Sequence, residues 1–486
     1  MTENETILER FTAWVNVIDG YVWGIPLILL IILGGLFLTI RLGGMQFIRL
    51  PLAMKYMLKN EKEGKGEVSS FAALCTALSA TIGTGNIVGV ATAVISGGPG
   101  ALFWMWLAAL FGMATKYSEG LLAIKYRSHD SKTNHVLGGP FYYIEKGMGI
   151  KWRWLAKFFA FAGVLVGLFG IGTFTQVNSI NTSINTAYQS VFGNANNPSF
   201  TFLGTEYTFV TVVSSILIAL LVGLVVIGGI KRIGKVSETI IPFMVVLYVG
   251  FSFILIITNI TKIDDAIVLI FRSAFGLDAA AGGMLGAMIV AMQKGVARGI
   301  FSNEAGLGSA PIAAAAAQTN EPVRQGLVSM TGTFLDTIIV CSMTGLALVM
   351  TNSFDPTLGL QGADATMHAF AVGIPFLSKT ITDIFVAICM ILFGFTTILG
   401  WNYYSERCLE YLTNGKMQPV LVFRWLYIIA VFIGPYMTIS AVWVIADIFN
   451  GIMALPNMIA LFALSGVIAR ETRDFFERRG KGKIID

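Results

Sequence analysis

The chain has 486 residues, of which 55% are hydrophobic and only 13% are charged. Soluble domains carry about 25% charged residues, so this composition excludes a fully water-exposed protein and places most of the surface in lipid. The formal net charge is +5, but the basic residues lie in short segments between apolar runs, which indicates membrane orientation rather than nucleic-acid binding. Four cysteines without a CxxC pair and three unclustered histidines argue against a metal centre.

The chain begins with a segment that does not read as a secretory signal. One arginine stands there among four acidic residues, so the basic start of a signal peptide is missing. We predict residues 1–21 to be an outer N-terminal segment. Eleven runs of the length that crosses a bilayer follow. They cover residues 22–41, 70–94, 99–123, 155–186, 208–229, 236–258, 283–316, 325–350, 380–405, 417–437 and 440–469.

The basic residues orient these spans. With the N-terminus outside, 27 of the 33 Lys and Arg fall in cytoplasmic segments, four fall outside, and Lys294 and Arg298 fall within a span. This bias predicts an N-out, C-in arrangement. Residues 22–469 then form a single transmembrane domain, because no linker or low-complexity tract divides them. Residues 470–486 are a basic cytoplasmic tail.

Two spans are interrupted by glycine and polar residues at mid-depth. Residues 79–90 read SATIGTGNIVGV, and residues 299–311 read GIFSNEAGLGSAP. Glycine costs about 1 kcal/mol in a helix interior and proline about 3, and irregular backbone at membrane depth is tolerated only where it lines a cavity or packs in protein. We interpret both interruptions as functional breaks. Close helix packing through small residues is the alternative.

The positions of the two breaks predict an inverted repeat. When the span at 22–41 is set aside as an extra helix, the breaks fall in the first and sixth of the ten remaining spans. Five spans over 70–258 and five over 283–469 then run in opposite directions. That is the arrangement of secondary transporters with a substrate site at the midplane. The halves share no residue-level similarity, so the argument is topological.

The breaks supply main-chain groups for a ligand. Free amides at Gly83–Gly85 suit a carboxylate, since a half-helix N-terminus is partly positive and glycine permits close approach. Carbonyls released at Phe301–Asn303 suit sodium or an ammonium group. Asn86 and Asn303 each add one acceptor and two donors.

Other spans add side chains to this picture. The hydroxyls of Thr396 and Thr397 suit a hard cation, although threonines also bond back to their own helix. Trp401 lies one turn beyond Thr397, where it walls a small apolar pocket or sits at the inner interface. Thr173 and Gln176 lie one turn apart in the third core span, in positions that could face the site.

Charged residues within or near the ends of spans are functional candidates by default. Lys294 and Arg298 are expected to form structural or gating pairs with carboxylates of other helices, or to reach outward. Glu304 lies inside the second break, where capping of freed N–H groups is one candidate role and no single role is predicted. The six residues of this kind are Glu119, Lys294, Arg298, Glu304, Asp336 and Asp447.

Four runs of the chain resemble the alanine/glycine:cation symporters of bacteria and archaea. The most distinctive is GGPGALFWMWLAALFG at residues 97–112. The others are GNIVGV from Gly85, ATKYSE from Ala114 to Glu119, and RGIFSNEAGLGSAP from Arg298 to Pro311. The similarity extends over nearly the whole chain.

This resemblance implies the leucine-transporter fold, alternating access, and cotransport of alanine or glycine with sodium across a prokaryotic inner membrane. It implies no cofactor beyond the coupling ion, no nucleic acid and no obligate protein partner. The implied substrate contacts are Thr84, Gly85, Asn86, Gln176, Phe301, Ser302, Asn303, Thr397 and Trp401. The implied sodium ligands are Ser79, Ile82, Thr396 and Thr397.

Three alternatives compete with this interpretation. A proton-coupled carrier on the same scaffold needs a titratable group at the site, and Glu304 is the candidate. A channel is expected to show a ring motif or a gating domain, and neither is visible in the sequence. An enzyme is not expected, since the sequence offers no clustered His, no nucleophile–base pair and no nucleotide loop.

Overall fold

The computed structural model describes residues 14–482, apart from residues 16, 19, 60–63, 65, 130–135, 194–195, 203–204, 278–282 and 438. This part of the chain is predominantly helical, with two short antiparallel hairpins. The predicted N-terminal segment, residues 1–21, lies mostly outside the described residues.

The described residues of the first half of the chain include eleven α-helices from Ile25 onward and both hairpins. The helices are α1 Ile25–Arg41, α2 Met45–Ile48, α3 Leu50–Leu58, α4 Ser70–Thr81, α5 Val88–Gly97, α6 Gly100–Lys125, α7 Pro140–Tyr142, α8 Arg153–Phe169, α9 Phe174–Phe192, α10 Phe209–Val226 and α11 Gly229–Thr258. The strands are β1 Ser128–His129, β2 Val136–Leu137, β3 Ser199–Phe202 and β4 Thr205–Thr208.

The regular elements in the described residues of the second half are all helices. Its helices are α12 Ile263–Ala274, α13 Met284–Asn303, α14 Ala310–Ala314, α15 Pro322–Thr333, α16 Ser342–Met350, α17 Gly362–Gly373, α18 Lys379–Leu412, α19 Met417–Ile433, α20 Ile439–Ala463 and α21 Ser465–Gly480. Single-turn 3₁₀ helices lie at Thr84–Asn86, Ile150–Trp152, Ile260–Lys262, Pro356–Leu358 and Gly434–Tyr436, and π-helical turns lie at Tyr143–Gly147 and Phe334–Cys341.

The helices pack as two groups with the breaks between them. In one group α6 contacts α13, α14 and α15, and α13 contacts α5. In the other group α18 contacts α8, α9 and α19. The helix α4 bridges the groups, because it packs against α14 and α15 on one side and against α11 and α18 on the other. The extra helix α1 lies outside both groups, against α6 and α20.

The described residues contain eight helices that are long and apolar enough to cross a membrane. The pair α4 and α5 would be a ninth, bent by 58° at the first predicted break. The helix α1 is shorter, at 17 residues. A multi-pass helical membrane protein is therefore confirmed.

The predicted span at 155–186 is not one regular helix. The helix α8 ends at Phe169, and α9 begins at Phe174. A Cβ on Gly172 would lie 2.6 Å from the carbonyl oxygen of Gly167 and 2.8 Å from the Cβ of Trp401. The chain therefore interrupts its helix here because it passes directly against α18, a close approach that glycine permits.

Three other segments can be compared with what their sequence predicts. Residues 137–150 are short and begin Leu-Gly-Gly-Pro, which predicts a hairpin or an interfacial segment, but they are mainly helical, with α7 running into the π-helical turn at Tyr143–Gly147. Residues 262–276 mix charged residues with Ile and Phe, which predicts an amphipathic helix, and this helix is present as α12, Ile263–Ala274. The predicted span at 283–316 continues beyond its break only as the five-residue α14.

Candidate functional site

The first break turns main-chain groups away from helical bonding. The N–H of Gly83 donates to Asn86 Oδ1 at 2.9 Å, and the N–H of Thr84 donates to Gln176 Oε1 at 3.1 Å. In a continuous helix these amides would bond the carbonyls four residues earlier. The carbonyl of Ser79 is therefore released from helical bonding at mid-span. The predicted free amides at Gly83 and Thr84 are occupied by side-chain oxygens in this structure.

The second break releases carbonyls in the same way. The N–H of Ala305 donates to Asn303 Oδ1 at 2.9 Å, and the N–H of Gly306 donates to Glu119 Oε1 at 3.1 Å. Both amides would otherwise continue α13. The carbonyls left without these helical partners are those of Phe301 and Ser302.

Asp336 connects the two breaks. Its Oδ1 accepts from Asn86 Nδ2 at 2.6 Å, and its Oδ2 accepts from Ser302 Oγ at 2.9 Å and from Thr337 Oγ1 at 2.7 Å. Thr337 in turn accepts from Asn303 Nδ2 at 2.9 Å. The sequence marked Asp336 only as a charge within an apolar run. The partners come from helices about 35 and 250 residues away in the chain, so only the fold reveals this role.

The glycines of the first break allow close contact on two sides. A Cβ on Gly83 would lie 2.3 Å from Thr397 Oγ1 and 3.1 Å from Gln176 Oε1. A Cβ on Gly85 would lie 3.2 Å from the ring of Phe301. The first break is thus packed between α9 and α18 on one side and the second break on the other.

The predicted sodium ligands come together in part. Thr397 Oγ1 donates to the carbonyl of Ile82 at 3.4 Å and to that of Phe393 at 3.0 Å. A Cβ on Gly400 would lie 2.8 Å from Ser79 Oγ, so α18 touches the end of α4. Three of the four predicted ligands therefore lie at one helix contact.

Thr396 points elsewhere. Its hydroxyl donates to the carbonyl of Leu392 at 3.0 Å and lies 3.8 Å from Met244 Sδ of α11. Successive residues of a helix point about 100° apart, since 3.6 residues make a turn. The side chains of Thr396 and Thr397 consequently face different neighbours in this structure.

Glu304 holds Trp401 in place. Trp401 Nε1 donates to Glu304 Oε1 at 2.7 Å, and Ser309 Oγ donates to Glu304 Oε2. Capping of freed N–H groups by Glu304 is not what the structure shows, because Asn303 and Glu119 take those amides. Glu304 itself ends α13 with a φ of 57°, a left-handed conformation that is uncommon outside glycine.

On the N-terminal side of Phe301, a largely buried ion pair joins α13 to α20. Arg298 donates to both carboxylate oxygens of Asp447, at 2.9 and 2.7 Å. Its guanidinium also lies over the rings of Trp443 and Phe301, at 4.9 and 5.6 Å from their centroids. The expectation of a helix-to-helix pair for Arg298 is confirmed.

Lys116 is a buried charge that sequence reasoning missed. Its side chain is 2% exposed, and its ammonium has no hydrogen-bond partner within the part of the chain that the structure describes. It lies within electrostatic range of three buried carboxylates, Glu119, Glu304 and Asp336. Its position three residues before Glu119 on α6 was the available signal, because such spacing places both on one helix face.

The predicted substrate residues lie together and away from solvent. None of the eight with a side chain is more than 1% exposed, and Gly85 is also buried. Main-chain oxygens, amides and hydroxyls thus converge at one depth. Such an arrangement can bind a small zwitterion and a hard cation without a basic side chain for the carboxylate.

Comparisons with known proteins agree with this geometry. A family model described as the sodium:alanine symporter family matches residues 8–485. An uncharacterised transporter of Haemophilus influenzae is 55% identical and covers 95% of this chain and 96% of its own. The sodium/alanine symporter AgcS of Methanococcus maripaludis is 43% identical and covers 96% and 98%.

A solved structure shows the same fold. The crystal structure of MhsT in complex with L-phenylalanine matches with a TM-score of 0.55 at 13% identity, over 85% of this chain and 99% of MhsT. MhsT has the leucine-transporter fold. At this identity the match concerns the fold alone.

Proposed function

Because this chain belongs to the sodium:alanine symporter family, we propose that it couples sodium influx to the uptake of a small neutral amino acid, alanine or glycine, by alternating access. The observation that carries the proposal is the meeting of two broken spans, tied to each other by Asp336. Each break releases polar main chain at the same place, which is the arrangement that binds substrate and coupling ion in transporters of inverted-repeat design.

The amino acid binds between the breaks in this proposal. Its carboxylate takes the amide of Thr84 in place of Gln176 Oε1, and its ammonium takes the carbonyls released at Phe301 and Ser302. The rings of Phe301 and Trp401 bound the space left for its side chain. The close packing of Gly83 and Gly85 supports a substrate no larger than a few heavy atoms beyond the α-carbon.

Sodium binds where α18 touches the end of α4. The carbonyls of Ser79 and Ile82 and the hydroxyl of Thr397 supply oxygen donors, which suit a hard cation. Thr396 completes the set only if its hydroxyl turns away from Met244. Its membership therefore remains a prediction of the family resemblance.

We place the protein in a prokaryotic inner membrane as a multi-pass carrier with eleven spans, the N-terminus outside and the C-terminus inside. The distribution of Lys and Arg supports this orientation. The helix α1 is the extra span, and the two five-span repeats cover residues 70–258 and 283–469. We propose that the carrier functions without an obligate protein partner.

Uptake of labelled alanine into proteoliposomes tests the proposal. We expect accumulation with an inward sodium gradient and none with a proton gradient alone. Thr397→Ala should lower the apparent sodium affinity at least about tenfold, the effect of losing roughly 1.4 kcal/mol. Thr413→Ala is the matched control, since its hydroxyl bonds carbonyls at the inner end of α18. Sodium-independent accumulation would refute sodium coupling.

Coupling to protons is the second candidate, and Glu304 favours it. This carboxyl group is fully buried beside the second break and Trp401. A carrier that uses Glu304 as its proton site should lose gradient-driven uptake in Glu304→Gln but retain exchange of labelled for unlabelled alanine. Sodium-driven accumulation that persists in Glu304→Gln would refute this candidate.

A further inference from the structure

A basic pocket lies between α1 and α21, and no residue of the two breaks lines it. It has a volume of about 290 Å³ and is lined by the segment from the C-terminal end of α1 through α2 to Arg49 and by one face of α21. A single water needs only about 15 Å³, so the space admits a larger group.

Among the described residues, three arginines and no acidic residue line this pocket. Arg41 donates its Nε–H to the carbonyl of Ser465 at 3.2 Å, which fixes its position, and its terminal nitrogens form no hydrogen bond with the described residues. Arg49 lies over the ring of Phe476 at 4.5 Å. Arg473 is exposed and forms no hydrogen bond or ion pair within the described residues. Guanidinium groups match phosphate oxygens in geometry and charge.

One face of α21 borders the pocket, and a side-chain contact with α6 holds the helix in place. Ala469, Thr472, Arg473 and Phe476 follow the spacing of one helical face. The hydroxyl of Thr472 contacts that of Tyr117 on α6 at 2.7 Å. That bond anchors α21 to the core and keeps Arg473 opposite Arg41 of α1 and Arg49, which lies between α2 and α3.

An exposed apolar surface leads to the pocket along α1. Leu33 and Ile40 on this helix are 53% and 71% exposed, and Ile48 at the rim is 65% exposed. In a membrane-spanning helix such side chains contact acyl chains. The charged pocket therefore begins where the lipid-facing surface ends, the position of a phospholipid headgroup.

We propose that this pocket binds the phosphate headgroup of an anionic phospholipid, whose acyl chains lie along α1. The inference rests on the orientation given under Proposed function, which places Arg41 and α21 at the cytoplasmic face, where basic pockets between helices bind anionic lipid. A free phosphate ion shares the headgroup chemistry but has no acyl chains to contact the apolar surface of α1. The lipid bound here fastens α21 to the extra helix.

Titration of the purified full-length protein, followed by native mass spectrometry, tests the site. Three probes are compared: phosphatidylglycerol, phosphatidylcholine and inorganic phosphate. We expect one phosphatidylglycerol to bind more tightly than phosphatidylcholine, with no adduct from phosphate. Arg49→Gln and Arg473→Gln should each weaken phosphatidylglycerol about fivefold, as expected for about 1 kcal/mol per arginine at an anionic surface.

Arg470→Gln is the matched control, because Arg470 is on the same helix but does not line the pocket. Equal losses in Arg470→Gln and Arg473→Gln, or unchanged affinity in both pocket variants, would overturn the proposal. Binding of inorganic phosphate as tight as that of the lipid would overturn the lipid assignment. The titration requires neither sodium nor amino acid, so its result is independent of whether the protein transports alanine.

Discussion

The first break packs closely against α18 because Gly83 has no side chain. A methyl group at Gly83 would lie 2.3 Å from Thr397 Oγ1, so Gly83→Ala must displace the Thr397 side chain or move the first break away from α18. We expect this variant to lose nearly all sodium-driven alanine uptake. A methyl group at Gly89, six residues later, would meet nothing within 4 Å. Gly89→Ala should therefore transport normally and gain up to about 1 kcal/mol of stability from helix propensity. Normal uptake by Gly83→Ala would contradict the proposed sodium site.

The buried charge of Lys116 is expected to stabilise the folded protein. Its removal leaves Glu119, Glu304 and Asp336 without the buried cation nearest to them, and uncompensated buried charge costs about 3–5 kcal/mol. Lys116→Met should therefore lower the thermal unfolding midpoint of the detergent-solubilised protein markedly. Lys125→Met on the same helix removes only an exposed pair with Glu471, worth less than about 1 kcal/mol. Similar midpoints for the two variants would show that Lys116 does not balance this cluster.

Residue identity predicted some of these features and not others. The sequence predicted both breaks, because their glycines interrupt apolar runs and irregular backbone at membrane depth is tolerated only where it lines a cavity or packs in protein. The two adjacent threonines were assigned to one cation, although neighbours on a helix diverge by about 100°, and only Thr397 lies at Ile82. Asn86 and Ser302, which donate to Asp336, are far from it in the chain, so no local pattern reveals these contacts. The same is true of Trp401, which donates to Glu304.

At the scale of elements, Arg298 and Asp447 join α13 to α20. The pair is bidentate and only 13% and 8% exposed. Arg298→Lys keeps the charge but loses the two-pronged bond and the ring contacts. We expect faster hydrogen exchange over residues 284–303 in this variant, together with a raised KM for alanine. Lys294→Arg, on the same helix, is the control. Unchanged exchange would mean that the pair does not hold α13 against α20.

The sequence predicted the long helices well where the length of an apolar run determined them. The pattern of apolar runs identified the positions of the long helices, since crossing a bilayer requires about 20 residues. It missed the interruption at Gly170–Thr173, because that break depends on contact with Trp401 rather than on local composition. It also overestimated the helix after the second break, where the chain forms only α14.

For the whole molecule, we predict a cytoplasmic C-terminus. A fluorescent protein fused after residue 486 should fluoresce, whereas alkaline phosphatase at the same position should be inactive. Fusions after residue 276, beyond the outer amphipathic helix α12, should behave in the opposite way. Phosphatase activity at the C-terminus would invert the orientation and would place the arginine-lined pocket at the outer face.

The burial of every predicted substrate residue has a consequence for the electrical behaviour of the protein. No substrate passes unless packed helices part and close again, so flux is counted in cycles and saturates, unlike the current of an open pore. If one sodium accompanies one zwitterion, each cycle carries one net positive charge inward. An interior-negative potential of 100 mV then contributes about 2.3 kcal/mol to each turnover. The membrane voltage then helps to drive the accumulation of the amino acid inside the cell.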